Sequence, residues 1–214
     1  MTKKEVLIEN LKDMMKYKDK KFMDLLIESF CTITPSRKRI LIIFGILIIL
    51  SYPIKICTES DNTIKYISQI IELSNTIIMA LFAVVFTGYA LFQALINRNT
   101  LKNLFLNKKG KFNNFTEYNL YFFSMCIIYI TLILTNFILS FFVNIDINYS
   151  FLGNSKNYIS GLFMLLYIGI NLFAIIEIKS FIYNLFQCFN ISAISTMIDN
   201  LDNYDDNLHD NSND

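Results

Sequence analysis

Four long stretches without a charged residue decide what this chain can become. One runs from Ile40 to Ile54 between Arg39 and Lys55, a second from Leu73 to Asn97, a third from Tyr118 to Ile145, and a fourth from Asn157 to Ile176. A bilayer's hydrocarbon, about 30 Å thick, needs roughly 20 mainly apolar residues at helical rise, so each stretch reads as a membrane span. The first is short unless Arg39 and Lys55 snorkel to the headgroups; extended to about residue 57, it carries Pro53 near its end. The expected fold is therefore all-α, an integral membrane four-helix bundle. Its spans are placed at about 40–57, 73–97, 119–144 and 158–178, and the last helix extends inward to about residue 190.

Composition supports this reading. Of the 214 residues, 54% are hydrophobic and only 17% are charged, against about 25% charged in an average soluble domain. The net charge of +1 carries none of the bulk basicity of a nucleic-acid binder. The 39-residue charged leader ahead of the first apolar run is unlike the short n-region of a cleavable signal peptide, so the first span is expected to stay as an anchor.

Lysine and arginine set the expected orientation. Residues 1–39 hold ten of the nineteen, the 97–117 segment five, and the region after the fourth span Lys179; Lys55, Lys65 and Lys156 flank the other two loops. Positive flanks collect on the cytoplasmic side, which places both termini and the 97–117 segment inside. The cations expected against the inner leaflet are Lys4, Lys12, Lys16, Lys20, Lys21, Arg37, Lys38, Arg39, Lys108 and Lys109. The cysteines form no disulfide framework: Cys31 and Cys188 fall inside, Cys126 in the third span, and Cys57 alone near the outer surface, as a free thiol or an intermolecular partner.

Two charged ends flank the spans. Residues 1–38 read as an amphipathic cytoplasmic helical segment whose apolar stripe (Leu7, Leu11, Met14, Phe22, Leu25, Leu26) is interrupted at Lys18. It lies on the anionic leaflet or packs as a solvated helix. Residues 191–214 are expected to be an acidic, disordered cytoplasmic tail, since Asp199–Asp214 holds six Asp and no Lys or Arg. That tail either docks a basic surface or stays idle.

Within the second span Thr76, Ala80, Ala83, Thr87, Ala90 and Ala94 follow at alternating steps of four and three, with Gly88 beside them. Small side chains at this spacing allow close, left-handed helix packing in lipid, within the chain or between copies. The third and fourth spans carry Ser124, Thr131, Thr135, Asn136, Ser140, Tyr167 and Asn171, read as interhelical hydrogen bonds or as a neutral polar path for ions. No ionisable residue lies in the core of a span, which argues against proton-coupled transport.

Catalytic patterns are missing. The single His209 sits in the acidic tail, and no CxxC, GxSxG, HExxH or phosphate-binding glycine loop occurs. No enzyme activity, cofactor or metal site is expected. The abundance of Ile, Asn, Lys, Phe and Tyr is what an AT-rich genome would produce, which favours a bacterial origin. Architecture then suggests a self-associating effector, sensor or anchor subunit of the inner membrane, as in phage defence or toxin and immunity systems. Its partners would be the lipid bilayer, further copies of itself and a cytoplasmic protein, with no nucleic acid. The alternatives are a channel or transporter subunit with a neutral polar path, and a membrane enzyme with an unrecognised site.

Overall fold

A computed structural model describes residues 3–33, 35–109, 112–143, 145 and 156–210. Seven helices and one short hairpin follow in order: α1 (Lys3–Lys18), α2 (Phe22–Phe30), α3 (Arg37–Glu59), α4 (Thr63–Leu95), α5 (Arg98–Leu106), β1 (Lys108–Lys109), β2 (Phe112–Asn113), α6 (Asn114–Val143) and α7 (Lys156–Asp210). The protein is all-α apart from that antiparallel hairpin, in which Lys108 pairs with Asn113 and Lys109 with Phe112.

Four helical segments are long and apolar enough to cross a membrane: α3, α4, α6 and residues Asn157–Ile198 of α7. Their surfaces make the same point. Only 6% of the most apolar stretch of α3 is buried, and Phe44, Ile48 and Ile49 are 60%, 70% and 75% exposed. In water such a continuous apolar face would drive aggregation; in lipid it is the stable arrangement. The chain is a multi-pass membrane protein.

Several elements differ in extent from the sequence reading. Helix α4 begins at Thr63, ten residues before Leu73, because Ser60–Asn62 already closes the turn: the Thr63 hydroxyl donates to the Ser60 carbonyl at 2.6 Å, with the carbonyls of Cys57 (3.0 Å) and Thr58 (3.2 Å) also within reach. Helix α3 runs six residues beyond Pro53, so the proline lies inside the helix rather than in its last turn. The central segment is a helix and a hairpin, not a loop. Asn97 caps α5 by accepting from the Thr100 amide at 2.8 Å, and Asn113 accepts from the Thr116 amide at the start of α6, also at 2.8 Å. The charged amino-terminal segment is two helices, broken between Lys18 and Phe22.

The largest difference is at the carboxyl end. Helix α7 continues to Asp210, so the acidic segment expected to be disordered is helical as far as that residue. A helix already formed extends without a new nucleation cost. Residues 211–214, and the 146–155 loop before the fourth span, lie outside the described residues.

The chain clusters into two compact units: unit 1 comprises Met1–Ile33, Phe86–Ser124 and Phe181–Asp214, and unit 2 comprises Thr34–Val85 and Met125–Ser180. Unit 1 is centred on aromatic rings. Phe92 packs edge-on against Phe122 at 5.0 Å, Phe122 against Phe181 at 5.3 Å, and Phe105 stacks on Phe115 at 5.3 Å. Around them lies a polar seam between α5 and α7. Asn103 donates to the Ser195 hydroxyl at 2.7 Å, Thr100 lies 3.4 Å from the Ser192 hydroxyl, and Ser192 donates to the Leu95 carbonyl at 3.2 Å. Helix α1 joins the same unit by packing on α5, where the buried Asn10 amide donates to the Phe105 carbonyl at 2.6 Å.

Candidate functional site

Unit 2 collects polar side chains that its sequence scatters over three helices. On the part of α6 in unit 2, from Met125 onward, the buried positions are Met125, Tyr129, Leu132 and Asn136, spaced by four, three and four, and therefore on one helical face. Tyr129 donates to the Ala174 carbonyl at 2.9 Å. The Tyr167 hydroxyl of α7 donates to Asn136 Oδ1 at 2.8 Å, and Asn171 donates to the Tyr167 carbonyl at 2.8 Å. Ser74 of α4 and Asn171 also reach the Tyr167 phenol.

This layer is incompletely satisfied. Asn136 Nδ2 and Asn171 Oδ1 are buried without a hydrogen-bond partner, as is Asn75 Oδ1 elsewhere on α4, and Asn136 and Asn171 are only 1% and 4% exposed. Each such atom costs about 1–3 kcal/mol relative to a satisfied one. The unmatched Asn171 acceptor and Asn136 amide donor suit water but not proton transfer, because neither side chain titrates.

An ion pair adjoins this layer. Arg39, at the start of α3, donates to the Glu177 carboxylate of α7; the Glu177 side chain is 3% exposed and that of Arg39 27%. Glu177 lies about 30 Å along α7 from Asn157, one hydrocarbon thickness at 1.5 Å per residue. It therefore ends the fourth apolar run, as the sequence indicates, yet it is buried there and neutralised by Arg39.

The other residues of the predicted polar path separate. Thr131, Thr135 and Ser140 lie on the exposed face of α6, and the Thr135 hydroxyl donates to the Thr131 carbonyl at 2.8 Å. A threonine that turns its hydroxyl back to its own helix is at ease in lipid. Ser124 is buried in unit 1, donating to the Tyr121 carbonyl at 2.9 Å. Asn136, Tyr167 and Asn171 are thus brought together, and the other four are not.

The small-residue seam of α4 also divides. Thr76, Ala80, Ala83, Thr87, Ala90 and Ala94 are all exposed, whereas Gly88 is buried. The face that enters the chain's interior carries Ile71, Ile78, Val85 and Phe92, each no more than 2% exposed. These residues repeat every seven positions, and the small residues occupy the opposite side of the same helix. Gly88 sits under Phe181, whose ring would overlap a Cβ placed there. It belongs to the interior face, not to the seam.

The predicted leaflet cations differ in freedom. Lys16 pairs with Asp13 at 2.7 Å, and Lys20 pairs with Glu28 while lying 4.1 Å over the Tyr17 ring. The hydrogen bond to Asp13 holds the Lys16 ammonium above its ordinary range, and burial together with Glu28 pushes the Tyr17 phenol up. These groups line a cavity of about 240 Å³ with Asn10 and Thr116, and their charges cancel in pairs. Lys4, Lys12, Lys21, Arg37 and Lys38 are exposed and in no ion pair among the described residues. Lys108 and Lys109 form β1, and their side chains lie outside the described residues. Leu11 and Met14 of the amino-terminal stripe are exposed at 44% and 39%; the side of α1 turned inward carries Asn10 instead. All four cysteines are free thiols, and no group of three or more metal-ligating side chains occurs among the described residues.

Fold and site together define the class: an all-α, multi-pass membrane protein with a neutral polar layer and an ion pair among its apolar helices. No protein-family model, curated protein or solved structure matches the chain.

Proposed function

We propose that this chain is a self-associating subunit of the bacterial inner membrane, with both termini cytoplasmic, acting as an effector, sensor or anchor beside a cytoplasmic partner. Phage defence and toxin or immunity systems are the settings that suit such an architecture. One observation carries the reading: α4 turns Ile71, Ile78, Val85 and Phe92 inward, and among the described residues nothing covers the row of small residues on its other side. That row has six small residues at steps of four and three, the pattern that lets two membrane helices approach closely. Sixteen of nineteen cations on one side support the orientation. Exposed Met15, Phe22, Met23 and Ile27 on α1 and α2 offer a cytoplasmic partner an apolar surface.

Crosslinking in native membranes tests the reading. Single cysteines at Ala83 or Ala90 should crosslink between copies, and Ala83→Leu with Ala90→Leu should return the protein to one chain per particle in mild detergent. A parent protein that is already a single chain at every concentration removes self-association.

A second reading, a channel subunit with a neutral path, draws on the unsatisfied atoms of Asn75, Asn136 and Asn171. It requires that controlled expression depolarises cells and that Asn136→Leu abolishes the effect. Unchanged membrane potential on expression removes this reading and leaves the first intact. No catalytic activity is proposed.

A further inference from the structure

The apolar groove between α3 and α7 in unit 2 has an opening of about 580 Å³, lined on α3 by Phe44, Ile48 and Ser51 and on α7 by Leu166, Gly169 and Ile170. Gly169 forms part of its floor: a Cβ there would stand 3.3 Å from Leu47 Cδ1. The walls are otherwise little covered, with Ile48 70%, Phe44 60%, Leu166 60% and Ile170 57% exposed. Both walls belong to membrane-spanning segments, so the groove opens to lipid.

What stands above it on the same helix is positive. Arg37, Ile40, Phe44, Ile48 and Ser51 are separated by three, four, four and three residues, which puts Arg37 on the face of α3 that lines the groove. Lys38 is its neighbour. Both are exposed and in no ion pair among the described residues, while Arg39 is neutralised by Glu177. Ser36 accepts from the Arg39 amide, and the uncapped first-turn amides add the positive end of the helix dipole. The groove residues from Phe44 to Ser51 lie about 10–20 Å below Arg37 at 1.5 Å per residue, close to the depth of one hydrocarbon leaflet of about 15 Å.

We infer that this surface binds one anionic glycerophospholipid, its phosphate on Arg37 and Lys38 and one acyl chain along the groove. A zwitterionic lipid supplies the same chain but no net negative charge for the two free cations. A helix of a second copy would fill the groove but leave those cations unmatched. The lipid is thus the occupant that satisfies both parts, and the inference stands apart from self-association, which uses a different helix, α4.

Native mass spectrometry of the full chain released from detergent micelles tests it, with phosphatidylglycerol and phosphatidylcholine of identical acyl chains as competing probes. The one-lipid adduct should be mainly phosphatidylglycerol. Arg37→Gln should cut that preference about fivefold, the weight of one basic group near an anionic surface. Ile48→Trp, and separately Ile170→Trp from the other wall, should reduce adducts of both lipids. All three positions are exposed, so the packed interior is untouched. Equal retention of the two lipids, an unchanged preference in Arg37→Gln, or undiminished adducts in both Trp variants would overturn the inference. A lipid-free dimer that either Trp variant converts to monomer would overturn it too, by making a second copy the occupant.

Discussion

Replacing Gly88 by alanine is the sharpest probe of how α4 is seated. A Cβ at this position would overlap the Phe181 ring, with Cε1 at 2.8 Å and Leu185 Cδ2 at 3.2 Å. The ring has nowhere simple to go, since Phe181 and Phe122 are both fully buried and packed edge-to-face at 5.3 Å. Forcing a methyl into such a contact typically costs about 1–3 kcal/mol. At about 2–4 °C per kcal/mol for a chain of this size, Gly88→Ala should lower Tm by about 2 to 12 °C. The matched control is Gly45→Ala on α3, where nothing lies within 4 Å of the added carbon. There the better helix former gains about 0.5–1 kcal/mol, and Tm should rise. Thermal unfolding of the detergent-solubilised protein, followed by circular dichroism, reads both. Equal shifts in one direction, or a Gly88→Ala protein as stable as the parent, would refute the assignment of Gly88 to the interior face.

Arg39→Ala takes the guanidinium away from the buried Glu177 carboxylate and should cost about 3 kcal/mol, while Arg39→Met combined with Glu177→Met should restore most of the loss in the same melting assay. Asn136→Leu removes the acceptor for the Tyr167 hydroxyl and should cost about 1 kcal/mol, whereas Thr135→Val, one residue away but on the exposed face, should leave Tm unchanged. Asn103→Ala breaks the contact to Ser195 between α5 and α7 and should speed hydrogen exchange in α5 while leaving α3 unchanged.

The existence of four spans was legible because a charge-free run of bilayer length has few other uses. Which side of each helix turns inward was not. In a helix that is apolar all round, hydrophobicity carries no directional signal, so the alanines of α4 stand out in the sequence while the seven-residue spacing of Ile71, Ile78, Val85 and Phe92 reads as ordinary span. The same loss of direction assigned Thr131 and Thr135 to the polar path alongside Asn136, although a one-residue step on α6 moves a side chain about 100° around the axis. The Arg39–Glu177 pair joins residues 138 positions apart, and nothing local announces it beyond two charges that each border an apolar run. Helix α5 was foreshadowed by its cap, Asn97 three residues before Thr100. The polar composition of the 97–117 segment otherwise reads as a loop.

The central claim is that four apolar helices cross the bilayer with the cationic flanks on the inner side, and labelling of single cysteines in a cysteine-free background tests it directly. Asp61→Cys, in the short link between α3 and α4, should react with an impermeant maleimide in intact cells, and Asn107→Cys, after α5, only once the membrane is opened. The reverse pattern, or both positions reactive from the same side, would contradict the account.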